Sequence, residues 1–233
     1  MSVPRHTVRS ILRELRAMAD PRVRAQMAHF GVHVENAFGI SAPKLHRLAG
    51  SIGKDHALAQ QLQATSNHEA RILAALIDDP AKVTEAQMER WARDFDAWDV
   101  VDGTCCYLFA FAAPAWKKAI EWSRRREEFV KRAGFVLMAY FAYKDKAAPD
   151  SRFHRLLAIV RREANDERHF VKKGVNWALR NIGKRNRALN RAAIRTGLEI
   201  RALDSPAARW IASDALRELR SRAVQERLRR KTR

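Results

Sequence analysis

Ser66-Asn67-His68-Glu69-Ala70-Arg71-Ile72-Leu73-Ala74-Ala75-Leu76-Ile77 reads as a helix with its start signal attached. Ser66 and Glu69 stand three apart, as in a capping box that satisfies free N–H groups at a helix N-terminus. Ile72, Leu73, Leu76 and Ile77 then fall on one helical face. The same grammar recurs outward in both directions. Asp20-Pro21 supplies a cap and a first-turn proline for a helix reaching about Val32. Ser41-Ala-Pro opens another, with Leu45, Leu48, Ala49 and Ile52 on its face. Thr84-Glu-Ala-Gln87 is a second capping box. A long apolar helix is expected from about Asp99 to Ala112, stopped by Pro114, and another from Phe129 to Tyr143. Pro149-Asp150, Asp166 and Ser205-Pro206 open three more, the second running to about Gly183 and the third to about Arg220. No segment alternates like a strand between N-G or D-G turns. The reading is all-α.

Alanine, leucine and arginine dominate, all good helix formers, and the 9 glycines and 7 prolines fall mostly between periodic segments. Helix pairs return roughly every 35–45 residues, a spacing that suits HEAT-like hairpins. Stacked hairpins predict a curved α-solenoid whose concave face, here basic, is an extended binding surface. A compact irregular bundle fits the periodicity equally well. No Pro/Gly/Ser linker divides the chain, so one domain is expected over residues 1–220, followed by a basic tail over 221–233, read as a frayed arm.

Charge is segregated along the chain. Residues 1–116 hold 13 Lys+Arg against 13 Asp+Glu, while residues 117–233 hold 32 against 13, which carries the whole formal +19. A one-sided positive field attracts a polyanion and releases its counterions on contact. Nucleic acid is the first partner implied; an acidic membrane surface or acidic protein competes. A 47% hydrophobic, 30% charged composition is that of a folded globular protein. The N-terminus is too charged for a signal peptide and no long apolar run follows, so a soluble, cytoplasmic protein is expected. Cys105 and Cys106 are adjacent, a poor geometry for a bridge, and no C-x-x-C spacing occurs. They read as packing inside a reducing compartment. His29 and His33 lie four apart, but without H-E-x-x-H or a third ligand they read as surface or packing residues. No P-loop or G-x-G-x-x-G is present. Neither a metal, a nucleotide cofactor nor a membrane is expected.

Three segments could carry chemistry. In Trp98-Asp-Val-Val-Asp102, Trp98 and Asp102 are one helical turn apart and share a side. Beyond them the helix turns apolar, so the carboxylate is partly desolvated. A capping role for Asp99 or Asp102, with Trp98 as a core anchor, fits the spacing as well. In Phe129-Val-Lys131-Arg132-Ala-Gly, Arg132 lies inside an apolar run and needs a partner, either an acid such as Asp102 or a phosphate; alternatively its stem packs and its head reaches water. In His169-Phe-Val-Lys172-Lys173-Gly-Val-Asn-Trp177-Ala-Leu-Arg180-Asn-Ile-Gly-Lys184-Arg185, the residues Lys173, Trp177, Arg180 and Lys184 share a face. Aromatics among cations suit stacking on a nucleotide with phosphates held beside it, though a plain amphipathic helix with Trp177 buried also fits.

Together these segments resemble the AlkD-type HEAT-repeat DNA glycosylases of the DNA alkylation repair family, from about Ala25 to Arg220. Phe38-Gly-Ile-Ser-Ala-Pro-Lys-Leu45 is similar to the family's G-[IV]-x-x-P-x-L/R, and His68-Glu69-Ala-Arg71 to its next repeat. Trp98-Asp-Val-Val-Asp102 matches W-D-x-x-D, the Arg132 segment resembles Q/R-R-A-x-I, and Phe170 to Arg180 resembles F-[IV]-x-K-A-[IV]-x-W-x-L-R-E. The chain departs from the family at Phe30, where a cleft Tyr can stand, and at Asn181, where Glu is common.

The resemblance implies a monofunctional, cofactor-free enzyme that hydrolyses the N-glycosidic bond of cationic N3- or N7-alkylated purines in duplex DNA. It implies that the base stays stacked rather than being everted. It gives Asp102 the charge-stabilising role, with Trp98 and Arg132 completing the catalytic set. Trp177 and Phe30 would line the cleft, and Lys172, Lys173, Arg180, Lys184 and Arg185 would hold the backbone. A monomer acting on DNA at the nucleoid is implied. A non-catalytic helical-repeat protein that binds DNA or RNA by charge and shape is the alternative.

Overall fold

The computed structural model describes residues 6–230, and every regular element among them is helical. The helices gather into two compact units that divide between Ala113 and Pro114. The division coincides with the charge boundary, since residues 114–116 carry no charge: the first unit is formally neutral and the second holds the surplus.

The first unit contains α1 (Val8–Ala17), α2 (Pro21–His29), α3 (Ala42–Ile52), α4 (His56–Gln63), α5 (His68–Ile77), α6 (Glu85–Arg93) and α7 (Trp98–Tyr107). Helix α5 is its centre, packing against α3, α4 and α7. Leu62, Leu73, Ile77, Met88, Trp91 and Phe109 are fully enclosed. The starts follow the sequence grammar with one shift. Asn67, not Ser66, caps α5, its Oδ1 accepting from Ala70 N at 3.0 Å; Ser66 instead takes a left-handed φ of 56°. The helix expected to Ala112 ends at Tyr107. A short 3₁₀ turn, Phe109–Phe111, follows, and it buries Phe109 with its ring 5.9 Å from that of Trp91.

The second unit contains α8 (Ala115–Trp122), α9 (Glu128–Lys144), α10 (Asp150–Arg162), α11 (His169–Gly183), α12 (Arg187–Arg201), α13 (Pro206–Leu219) and α14 (Arg222–Arg230). Helices α9, α11 and α13 pack side by side, and α8, α10 and α12 back them, giving two layers of antiparallel hairpins. Trp122, Phe135 and Phe153 are enclosed, and Trp116 stacks on Phe141 with centroids 4.2 Å apart. Gly134 lets α8 and α9 approach closely: a Cβ there would meet Ser123 N at 2.7 Å and Ala119 O at 2.9 Å. Helix α11 starts at His169 rather than Asp166, because the Asp166 carboxylate is taken by Arg168 and Lys131. The basic tail is not frayed over its described part. It forms α14, whose Val224 and Leu228 are buried; residues 231–233 lie outside the described residues.

Candidate functional site

In the first unit the chemistry-bearing residues gather at the start of α7. Trp98 is its first residue and Asp102 lies one turn on; both are partly exposed, while Val100, Val101, Gly103 and Thr104 around them are buried. Trp98 is thus a rim residue rather than a core anchor, and neither it nor Asp102 caps the helix, whose N-cap is Ala97. The indole Nε1–H donates to the backbone carbonyl of Phe30 at 3.0 Å, which ties Trp98 to the C-cap of α2, where Phe30 is 58% exposed.

What holds this helix end is the first turn of α5. His68 Nε2–H donates to Asp99 Oδ2 at 2.9 Å, and Asp99 Oδ1 accepts from Val100 N. Arg71, itself buried, donates to Asp96 Oδ1 at 2.8 Å and to the carbonyl of Asp94. Glu69, 1% exposed, accepts from the backbone N–H groups of Phe38, Gly39 and Ile40 at 2.7–3.2 Å. Gly39 has φ +80°, and a Cβ there would lie 2.4 Å from Asp20 O. Three side chains of one helical turn therefore fix the loop before α3 and the entry to α7. In the sequence this stretch reads as a helix start and a family-like repeat, not as a brace. Its signal is three polar residues leading an otherwise apolar run, each needing a buried partner.

In the second unit Arg132 is 6% exposed on α9 and its Nη1 donates to the carbonyl of Phe170 at 2.9 Å. Its neighbour Lys131 bridges Glu163 Oε2 (2.6 Å) and Asp166 Oδ2 (2.9 Å). Burial works to raise the Asp166 carboxyl, but hydrogen bonds from Arg168 and Lys131 outweigh it and bring its pKa down to about 2. Lys172 and Lys173 lie near the start of α11, Lys173 exposed and Lys172 partly so. His169 there is held below the usual histidine value, first by burial and then by Lys173 and Lys172, with Arg132 adding to them against Glu128. The field at this helix start is therefore positive, which the N-terminal end of the helix dipole reinforces. Trp177 is partly exposed further along the helix. Lys172 Nζ lies 5.6 Å from the ring centre of Trp210, 41% exposed on α13, an aromatic that sequence reasoning misses.

The other three expected backbone-holding cations are occupied elsewhere. Arg180 pairs with Asp214 and Glu218, and Lys184 with Glu218 at 2.8 Å. Arg185 donates to the carbonyls of Ala148 (2.7 Å) and Lys146 (3.1 Å), with its guanidinium 4.3 Å from the Phe153 ring centre. Each ties α11 or its end to neighbouring elements. His29 and His33 do not share a helix, since α2 ends at His29. Among the described residues no three His, Cys, Asp or Glu side chains gather around a metal-sized space, and no helix is long and apolar enough to cross a membrane.

The chain matches the family described as DNA alkylation repair enzyme over residues 11–219. It belongs to that family. Among solved structures, one described as "a new family of proteins related to the HEAT-like repeat DNA glycosylases with affinity for branched DNA structures" superposes with a TM-score of 0.78 at 20% identity, covering 96% of each chain. The HEAT-like helical fold is thereby shared. No curated protein matches. In this DNA alkylation repair family member, Trp98 and Asp102 in the first unit reach solvent from a braced helix end. In the second unit, Lys172 and Lys173 reach it from a helix start whose field attracts anions.

Proposed function

We propose that the protein is a monofunctional DNA glycosylase that hydrolyses the N-glycosidic bond of cationic N3- or N7-alkylated purines, and that it does so without everting the base. The observation that carries this reading is the presentation of Asp102 and Trp98 on one side of α7, partly exposed, on a helix end braced by His68 and Arg71. Family membership supports alkylated DNA as the substrate.

Alkylation makes the base a good leaving group, so no strong general acid is required. Charge then builds on the deoxyribose as the glycosidic bond lengthens, an oxocarbenium-like state akin to that of O-glycoside cleavage. The Asp102 carboxylate, preorganised and partly removed from water, stabilises that charge and orients the attacking water. The water adds to C1′, its proton leaves to solvent through the carboxylate, and the neutral base departs with the bonding pair. Trp98 supplies an aromatic face to the cationic sugar. The positive field around Lys172 and Lys173, to which the buried Arg132 adds, takes backbone phosphate. Because Arg180, Lys184 and Arg185 are engaged within the fold, backbone contact along α11 rests on Lys172 and Lys173.

The test is incubation with methylated duplex DNA and chromatography of the free bases. Appearance of 3-methyladenine or 7-methylguanine, with abasic sites in equal amount, is the expected result; absence of both refutes the enzyme reading. A second reading, DNA binding without excision, is favoured by the description of the solved relative as having affinity for branched DNA. It predicts salt-sensitive binding with no base released.

A further inference from the structure

The positive charge of the second unit is not spread evenly. Within the layer of α9, α11 and α13, Lys131, Arg180, Lys184 and Arg217 are paired with carboxylates. On α12 the situation is reversed. Arg187, Arg191 and Arg195 are all exposed, and among the described residues none has a hydrogen-bond, ion-pair or ring partner. They stand at i, i+4 and i+8, so they form a single stripe about 12 Å long. The side of α12 opposite the stripe is buried, with Leu189, Ala192, Ala193, Thr196 and Ile200 packed inward against α11 and α13. The stripe thus faces away from the layer that carries Lys173 and Trp177.

A neighbouring helix extends it. Asn186 Nδ2 donates to both carboxylate oxygens of Asp150 at 2.9 Å, and Arg161 pairs with Glu199 at 2.9 Å. These two ties run α10 and α12 alongside each other in the same direction, which brings Arg155, exposed and likewise without a partner among the described residues, to the flank of the stripe. Like charges one turn apart repel and weaken a helix, and no carboxylate stands between Arg187 and Arg195 to relieve it. A phosphodiester backbone relieves it, since phosphates advance about 3.4 Å per nucleotide along one strand and a stripe of about 12 Å meets roughly three or four of them. A duplex is too stiff to fold around the unit from one face to the other over such a distance.

We propose that the outward face of α12, with Arg155 beside it, binds the backbone of a second DNA duplex, so that one molecule holds two duplexes. The inference rests on DNA as the partner but not on base release.

The experiment uses a biotinylated duplex on beads and a fluorescent duplex in solution, with the full-length protein. Wild type is expected to retain the fluorescent duplex on the beads, less so as salt rises. The triple variant Arg187→Ala, Arg191→Ala, Arg195→Ala should lose that retention and still bind a single duplex. Alanine favours helix, and unchanged circular dichroism confirms folding. Retention by the triple variant equal to wild type overturns the proposal. So does a wild type that binds one duplex and captures no other, or one whose stripe holds phosphatidylserine vesicles and not DNA. Capture by a protein that releases no base would leave this proposal standing while refuting the glycosylase.

Discussion

Replacing Glu69 with alanine probes the brace under α7 and α3 most severely. The carboxylate is 1% exposed and accepts from three successive backbone donors, at 2.9 Å from Phe38 N, 2.7 Å from Gly39 N and 3.2 Å from Ile40 N. A hydrogen bond to a charged group contributes about 1.5–3 kcal/mol, and a buried donor left without a partner costs about 1–3 kcal/mol. Water entering the vacated volume recovers part of this, so the sum is not three full penalties. A loss of about 3–5 kcal/mol is expected for Glu69→Ala, in the tail of single-substitution effects. Glu69→Gln keeps the shape and one acceptor but turns an NH₂ toward the remaining donors, and should cost about 2 kcal/mol. Urea unfolding followed by tryptophan fluorescence measures the loss. Hydrogen exchange reports it locally, because the Phe38, Gly39 and Ile40 amides should exchange far faster in the variant while those of α11 do not. Stability within about 0.5 kcal/mol of wild type, with those amides still protected, would refute the reasoning.

Removing the His68 contact to Asp99 by His68→Ala should slow base release about tenfold under single-turnover conditions, the equivalent of one hydrogen bond of about 1.4 kcal/mol, while DNA affinity is held; an equal loss of affinity would place His68 in binding instead. Arg185→Ala should cost stability in thermal unfolding, because three backbone carbonyls lose their donor, whereas Lys173→Ala should leave stability unchanged and reduce the salt slope of DNA binding by about 0.9. The Asp166 carboxyl, lowered to about 2 in the fold from its usual 3.8, contributes stability that is present above about pH 4 and lost as pH falls toward about 2. Lys131→Ala should flatten that acid-side slope, as measured by urea midpoints from about pH 5 down to about pH 2.

Caps, turn prolines and apolar periodicity make most of the helices legible, because those signals act within one or two turns of the residues that carry them. Asp20, Thr84, Asn186 and Ser205 each accept a hydrogen bond from an N–H in the first turn of the helix they open. The differences arise from competition beyond that range. Glu69 stands in the capping-box position, yet it serves a loop 30 residues upstream; Gln87, in the same position of the second box, donates its amide to Asp78 at 2.6 Å. The amphipathic tail reads as a frayed arm because Val224 and Leu228 are its only large apolar residues in a run of arginines. Their spacing of four is nonetheless the signal for α14. At the candidate site, the pairing of Trp98 and Asp102 on one side of α7 follows from spacing, but the fates of Arg180, Lys184 and Arg185 do not. Sharing a helix face says where cations point, not whether Glu218 or a turn of carbonyls lies opposite. His68 and Trp210 are invisible for the same reason, since each matters through a residue 31 or 38 positions away.

The central claim is that Asp102 stabilises the charge that develops as the base leaves. The most direct measurement is the single-turnover rate of 7-methylguanine release from a duplex fully bound by protein, comparing wild type with Asp102→Asn, which keeps the shape of the side chain and removes its charge. A rate lower by about 10²–10³ in the variant is expected, with DNA affinity and unfolding midpoint preserved. An equal rate in the two proteins would contradict it.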